Sequence, residues 1–195
     1  FTKGENPRPF DETSGGVMIG EGMGMVILKR LEDAERDGDS IYAVIKGIGT
    51  SSDGKFKSIY APRSGGQAKA LRRAYADADI DRLSIGLLEA HGTGTAAGDS
   101  AEFEGLKEVF TEDAPAKSGY PDFQHIALGS IKSQIGHTKA AAGIAGLIKT
   151  TLALHHKILP PTINIERPSE KLGIEKTPFY LNTEPRPWIT DGEQR

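Results

Sequence analysis

The 195-residue chain contains no cysteine. No disulfide and no thiolate metal site can form within it, and a reaction that needs a thiolate must take that group from elsewhere. Long apolar runs are missing too: none reaches the roughly 18 residues of a membrane span, and the opening FTKGENPRPFDE lacks the charged-then-apolar layout of a signal peptide. Neither sign of charge is in excess, with 24 Lys and Arg against 27 Asp and Glu and a net charge of −3. No Lys/Arg block forms a phosphate-tracking patch, so nucleic acid is not an expected partner. These absences leave a soluble chain, expected in the cytoplasm, long enough for one domain of ordinary size or for part of a larger one.

Strand-like and helix-like segments alternate, which predicts an α/β layered fold. MGMVILK (23–29) and IYAVIKGIG (41–49) read as strands, and LEDAERDGD between them as a short solvated helix stopped by Gly38. A long loop over 51–66 precedes a helix whose Ser64 and Gln67 have capping-box spacing and whose Ala68, Leu71, Ala74, Tyr75 and Ala78 recur at helical intervals. SIGLLEA (84–90) is a third strand. Asp99 and Glu102 repeat the capping-box spacing and predict a helix to about Phe110. Residues 111–124 are polar and Pro/Gly-rich, a surface excursion before the strand HIALGSI (125–131). From His137 to His156 the pattern is apolar around most of the circumference, which predicts a buried helix, and PFYLNTEPRPW supplies a last strand. The closing ITDGEQR is a polar, turn-like tail.

Two segments carry the candidate chemistry: EAHGTGTAAGD (89–99) and GSIKSQIGH (129–137). In open α/β sheets ligands gather at the carboxyl ends of strands, and His91 and Lys132 each follow a strand directly. The glycines and small hydroxyls of HGTGTAAG let backbone and ligand approach closely. His137, at the predicted start of the long helix, is expected to stay neutral and to donate a hydrogen bond to developing negative charge. A lone histidine at a strand end is usually structural and a turn lysine usually solvated. Two histidines, a lysine and a Thr-Gly-Thr loop at successive strand ends make a functional constellation. Other motifs take plainer readings. GEGMG (20–24) is not G-x-G-x-x-G and precedes a strand, so it is not a dinucleotide loop. His155 and His156 close a helix and have no third ligand at metal spacing, so no metal site is expected. Trp188 reads as packing.

EAHGTGTAAGD and GSIKSQIGHTKAAAG resemble the paired His and Lys-His signatures of β-ketoacyl synthases, and PFDETSGGVMIGEGMGMVILKRLEDA, LALHHKILPPTIN and PFYLNTEPRPW match that family in the same order. The wording is most like the ketosynthases of multienzyme polyketide and polyunsaturated-fatty-acid synthases. The resemblance implies a thiolase-like layered α-β-α-β-α fold, here partial and mostly its C-terminal half, with about 1–60 ending the N-terminal half and about 61–195 forming most of the C-terminal half. It implies decarboxylative Claisen condensation of an acyl thioester with malonyl-acyl carrier protein, in which His91 and His137 donate to the malonyl thioester oxygen, Lys132 sets the electrostatics around His137, and Thr93 and Thr95 bond the pantetheine arm. No cofactor is implied beyond the carrier's phosphopantetheine. The implied partners are the acyl carrier protein, a second copy in a homodimer and the rest of a multidomain synthase. Fatty-acid-type members carry a glutamate partner for the lysine nine residues after the second histidine, where this chain has Gly146. The family's cysteine segment would precede Phe1 and its glycine-rich final motif would follow Arg195, so the chain is expected to be a portion of a ketosynthase, inactive alone. Two other readings stay open: a non-catalytic chain-length or scaffold partner, against which both histidines argue, and a cysteine-less malonyl decarboxylase.

Overall fold

Buried at all four positions, the run IALG makes the middle of a three-stranded parallel sheet. This computed structural model describes residues 1–2, 4–55, 61–112 and 124–189. In chain order its elements are α1 (Leu31–Asp37), α2 (Ser64–Ala78), β1 (Leu87–Glu89), α3 (Ala96–Thr111), β2 (Ile126–Gly129), α4 (Lys132–Ile135), α5 (Ala142–His156), β3 (Ile158–Leu159), β4 (Phe179–Leu181) and β5 (Arg186–Pro187), joined in places by single 3₁₀ turns. The sheet order is β1-β2-β4, with Glu89 level with Gly129 and Leu128 level with Leu181. β3 and β5 form a separate antiparallel pair.

Period-2 alternation divides β2 between two layers. Ile126 and Leu128 meet Phe103, Leu106 and Phe110 of α3 together with Phe179 of β4, and the rings of Phe110 and Phe179 lie 4.8 Å apart at 63°. Gly129 points the other way, toward Lys149 of α5. α2 packs outside α3, with Ala68 fully buried and Tyr75 edge-on to Phe110. Trp188 does pack, its indole lying against Gly86 just before β1.

Several sequence expectations are corrected. The segments 23–29 and 41–49 are not strands among the described residues: apolar β-prone sequence makes a ladder only beside a partner backbone, and Met23, Met25 and Ile27 are instead exposed. The second segment lies over α2, where Gly47 and Gly49 come so close that a Cβ would strike the helix backbone, and Ile48 N–H donates to Asp77. Neither expected capping box forms. α2 begins at Ser64 itself after the uncapped Arg63, and α3 begins four residues early because Thr95, not Asp99, is the N-cap and accepts the first-turn N–H, that of Gly98. The long helix starts at Ala142: Gly136, with φ 70°, breaks the chain just before His137, and a 3₁₀ turn at Lys139–Ala141 intervenes after it. One flank of α5 is uncovered among the described residues and faces a groove of about 510 Å³ beside Ile144, Ile148 and Met23. Gly38 ends α1 in the left-handed conformation, as expected. The polar excursion lies almost wholly at 113–123, part of the 51–66 loop at 56–60 and most of the tail at 190–195, outside the described residues. No described helix is long and apolar enough to cross a membrane.

Candidate active site

The parallel ladder continues one residue past β1, with Ala90 N–H donating to Gly129 O at 2.8 Å, and then releases the chain at His91. Glu102, nearly two turns into α3, fixes that release point: its two carboxylate oxygens accept from His91 N–H at 2.6 Å and Gly92 N–H at 2.8 Å. Gly92 has φ 44°, and a Cβ there would stand 2.6 Å from Ser130 Cβ, so only glycine fits the turn. Asp99 closes the loop by accepting from Gly94 N–H and, from across the chain, Phe10 N–H. Thr93 and Thr95 lie in this loop half-buried, their hydroxyls 2.9 Å apart, with Thr95 also capping α3.

The second turn follows β2. Ser130 is fully buried and ties the two turns together: its hydroxyl lies 3.3 Å from both His91 O and Gly92 O, and accepts from Lys132 N–H. Lys132 opens α4 and is 4% exposed. His137 then sits in a parallel bridge with Ile19, its N–H donating to Met18 O at 2.7 Å and its carbonyl accepting from Gly20 N–H. A backbone bridge, not a helix N-terminus, therefore places this residue. Its Nδ1 accepts from Lys139 N–H at 3.1 Å, which puts the neutral ring's proton on Nε2.

The two imidazoles meet edge to face, with centroids 5.0 Å apart at 86°. Desolvation by the neighbouring turns is the largest cause holding His91 down, to about 4, although the residue as a whole is exposed; Lys132 and His137 add to it. Burial likewise lowers His137, helped by Lys132 and Lys139. Both rings are neutral near pH 7. Burial also lowers Lys132, while Glu102, Glu89 and Asp99 pull it back up. These three carboxyls are themselves raised by burial. Two neutral imidazoles beside a cation, at the carboxyl ends of neighbouring parallel strands, can donate hydrogen bonds to an oxygen that gains negative charge. Among the described residues no group of three or more His, Asp or Glu side chains could hold a metal ion.

His91, Lys132 and His137 are thus brought together from two turns, with Thr93 and Thr95 on the rim of the first. Sequence reading missed Glu102 as the clamp on His91, because its spacing from Asp99 mimics a capping box. It also missed Glu89, a charged residue ending an apolar strand, whose side chain packs against Gly146 and pairs with Lys149. GEGMG has a structural use: Gly20 and Gly24 bring an extended segment against Ile135 O and against Ile144 and Ile148 of α5.

Residues 42–166 match the family model for the β-ketoacyl synthase C-terminal domain. The chain is 47% identical over 192 residues to a polyunsaturated fatty acid synthase of Thraustochytrium sp., covering 97% of this chain and 7% of that protein. It is 46% identical over 189 residues to polyketide synthase PksL of Bacillus subtilis, covering 96% and 4% respectively. Among solved structures it superposes on the ketosynthase from module 6 of the bacillaene synthase of Bacillus subtilis with a TM-score of 0.91 and 43% identity, covering 98% of this chain and 34% of the other. The chain therefore spans less than a tenth of these curated relatives and about a third of the solved chain.

Proposed function

The chain belongs to the β-ketoacyl synthase family, with the part of the thiolase-like layered fold that is mostly its C-terminal half, and from this premise we propose that it supplies the enolate-stabilising half of a ketosynthase site in a polyketide or polyunsaturated-fatty-acid synthase. The boundary between the two halves of the fold falls near residue 60. The reaction is decarboxylative condensation. A malonyl thioester loses CO₂, the electrons of the broken C–C bond pass into an enolate, and the enolate carbon attacks an acyl thioester, expelling a thiolate that belongs to another segment of the domain.

One observation carries this reading: two imidazoles meet 5.0 Å apart, in surroundings where desolvation and the Lys132 charge lower both below the ordinary histidine range. His91 and His137 donate to the malonyl thioester oxygen as it becomes an enolate oxygen, His137 through Nε2–H. Such preorganised donors are worth roughly 3–4 kcal/mol each, because the site need not reorganise when charge develops. Lys132 keeps both rings unprotonated and adds positive field to the enolate. Thr93 and Thr95, on the same loop as His91, bond the pantetheine arm. The partners are then an acyl carrier protein, the remainder of a multidomain synthase and a second copy in a homodimer, in the cytoplasm.

In the ketosynthase domain containing this chain, His91→Ala and His137→Ala are each expected to slow malonyl decarboxylation by about a hundredfold or more. Acylation of the domain's nucleophile should suffer less. A variant that decarboxylates a malonyl thioester at the parental rate would remove that histidine from the mechanism.

A further inference from the structure

Beneath the paired histidines lies a buried ion pair that the mechanism above does not use. Glu89, the last residue of β1, is joined to Lys149 of α5 at 2.6 Å, and both side chains are almost inaccessible, at 10% and 6%. The second carboxylate oxygen accepts from Ile131 N–H at 2.5 Å. Ile131 is the residue immediately before Lys132. One side chain thus links the strand that delivers His91, the turn that delivers Lys132 and the long helix. Position 146 is glycine, and a Cβ there would press on Glu89 Cγ at a tight 3.2 Å.

Such a pair is poorly explained by stability alone. Burying two charges costs several kcal/mol, and apolar replacements of similar volume are often neutral or stabilising. We propose that Glu89 is a positioning residue for Lys132, pinning the Ile131–Lys132 turn to α5 so that the ammonium faces the two imidazoles. The inference rests on the ketosynthase reading. The charged and titratable groups around Lys132 are Glu89 from β1, Asp99 and Glu102 from α3, His91 and His137 from the two loops, and Lys149 from α5 behind Glu89. Of the carboxylates, Glu102 and Asp99 are already committed to backbone N–H groups of the His91 loop. Glu89 alone among the three bonds the lysine's own turn.

The test compares Glu89→Gln with the double variant Glu89→Gln/Lys149→Met in the ketosynthase domain containing this chain. The Glu89→Gln change keeps the size and an acceptor for Ile131 N–H but loses the charge. The Lys149→Met change removes the buried cation that would otherwise stand unpaired, so the double variant retains the fold. With a malonyl thioester of phosphopantetheine as probe, both variants are expected to lose about tenfold or more in kcat for decarboxylation, with KM changed by less than about twofold. Loss of a nearby negative charge makes the Lys132 ammonium easier to deprotonate, so the alkaline limb of the pH profile should move down by at least about 0.5 unit. A folded double variant with parental kcat and an unmoved alkaline limb would show that Glu89 is structural only and overturn the proposal. His91→Ala in the same assay separates the two levels. If it decarboxylates at the parental rate, the ketosynthase reading falls and takes the inference with it; if it is slow, the Glu89 result stands on its own.

Discussion

Replacing Gly20 by alanine tests whether the backbone bridge to residues 18–20 is what places His137. An added Cβ would lie 1.9 Å from Ile135 O and 3.1 Å from Ile135 C, atoms of a backbone that cannot rotate away as a side chain would. One of the two chains must move by more than about 1 Å. That movement breaks the bonds from His137 N–H to Met18 O and from Gly20 N–H to His137 O, worth about 1 kcal/mol each, and adds about 1–3 kcal/mol of overpacking. The expected loss is about 3–5 kcal/mol of unfolding free energy, a large share of the 5–15 kcal/mol typical of a domain. A displacement of this size in a hydrogen-bond donor should also lower malonyl decarboxylation by about a hundredfold. Gly22→Ala is the matched control, because its Cβ would meet Thr138 Cγ2 at an ordinary 3.4 Å, and it should stay within about 0.5 kcal/mol of the parent. Urea unfolding of both variants, read with the decarboxylation rate, decides the matter. Equal stability and equal activity for the two would refute the claim that the segment holds the histidine in place.

Two further outcomes follow from the same geometry. An NMR titration should find His91 and His137 below the ordinary 6.5, His91 near 4; since the folded rings bind protons less readily than the unfolded chain, stability should be full above about pH 6.5 and fall as pH drops toward 4, and a raised value for either ring would remove the neutral-donor argument. The 195-residue chain by itself should form no covalent adduct with a long-chain acyl thioester, because it has no cysteine and because Ser130 and Ser133, the hydroxyls flanking Lys132, are fully buried and hydrogen-bonded; a stoichiometric acyl adduct in intact-mass spectrometry would reveal another nucleophile.

The sequence was most legible where side-chain pattern and backbone geometry coincide. IALG is apolar on both faces and became the central strand. Ala68, Leu71 and Tyr75 recur at helical spacing and became the packed face of α2. The motif residues His91, Lys132 and His137 could be grouped because strand ends in a parallel sheet point to one side, and the structure gathers them there. Residues 23–29 and 41–49 failed for a physical reason: strand propensity states what a chain prefers beside a partner, and cannot say whether a partner is adjacent.

What stayed hidden was the wiring beneath the site, and its residues share one property. Glu89, Asp99 and Glu102 act through both carboxylate oxygens on backbone N–H groups or a distant lysine, contacts that span up to 89 residues of chain and have no local spacing to betray them. Asp99 and Glu102 even carry a local signature, the capping box, that fits the sequence and is overridden because Thr95 reaches the first-turn N–H sooner. Gly20 was set aside as part of a motif that is not a nucleotide loop, yet alternate glycines in an extended segment put the bare face on one side. Here that face lies against Ile135 and α5 and carries the bridge to His137. The side chains proposed for the chemistry can be read from motifs. Their placement depends on carboxylates and glycines whose partners only the fold brings near, so substitutions at Glu89, Glu102 and Gly20 should disturb the chemistry without touching a reacting atom.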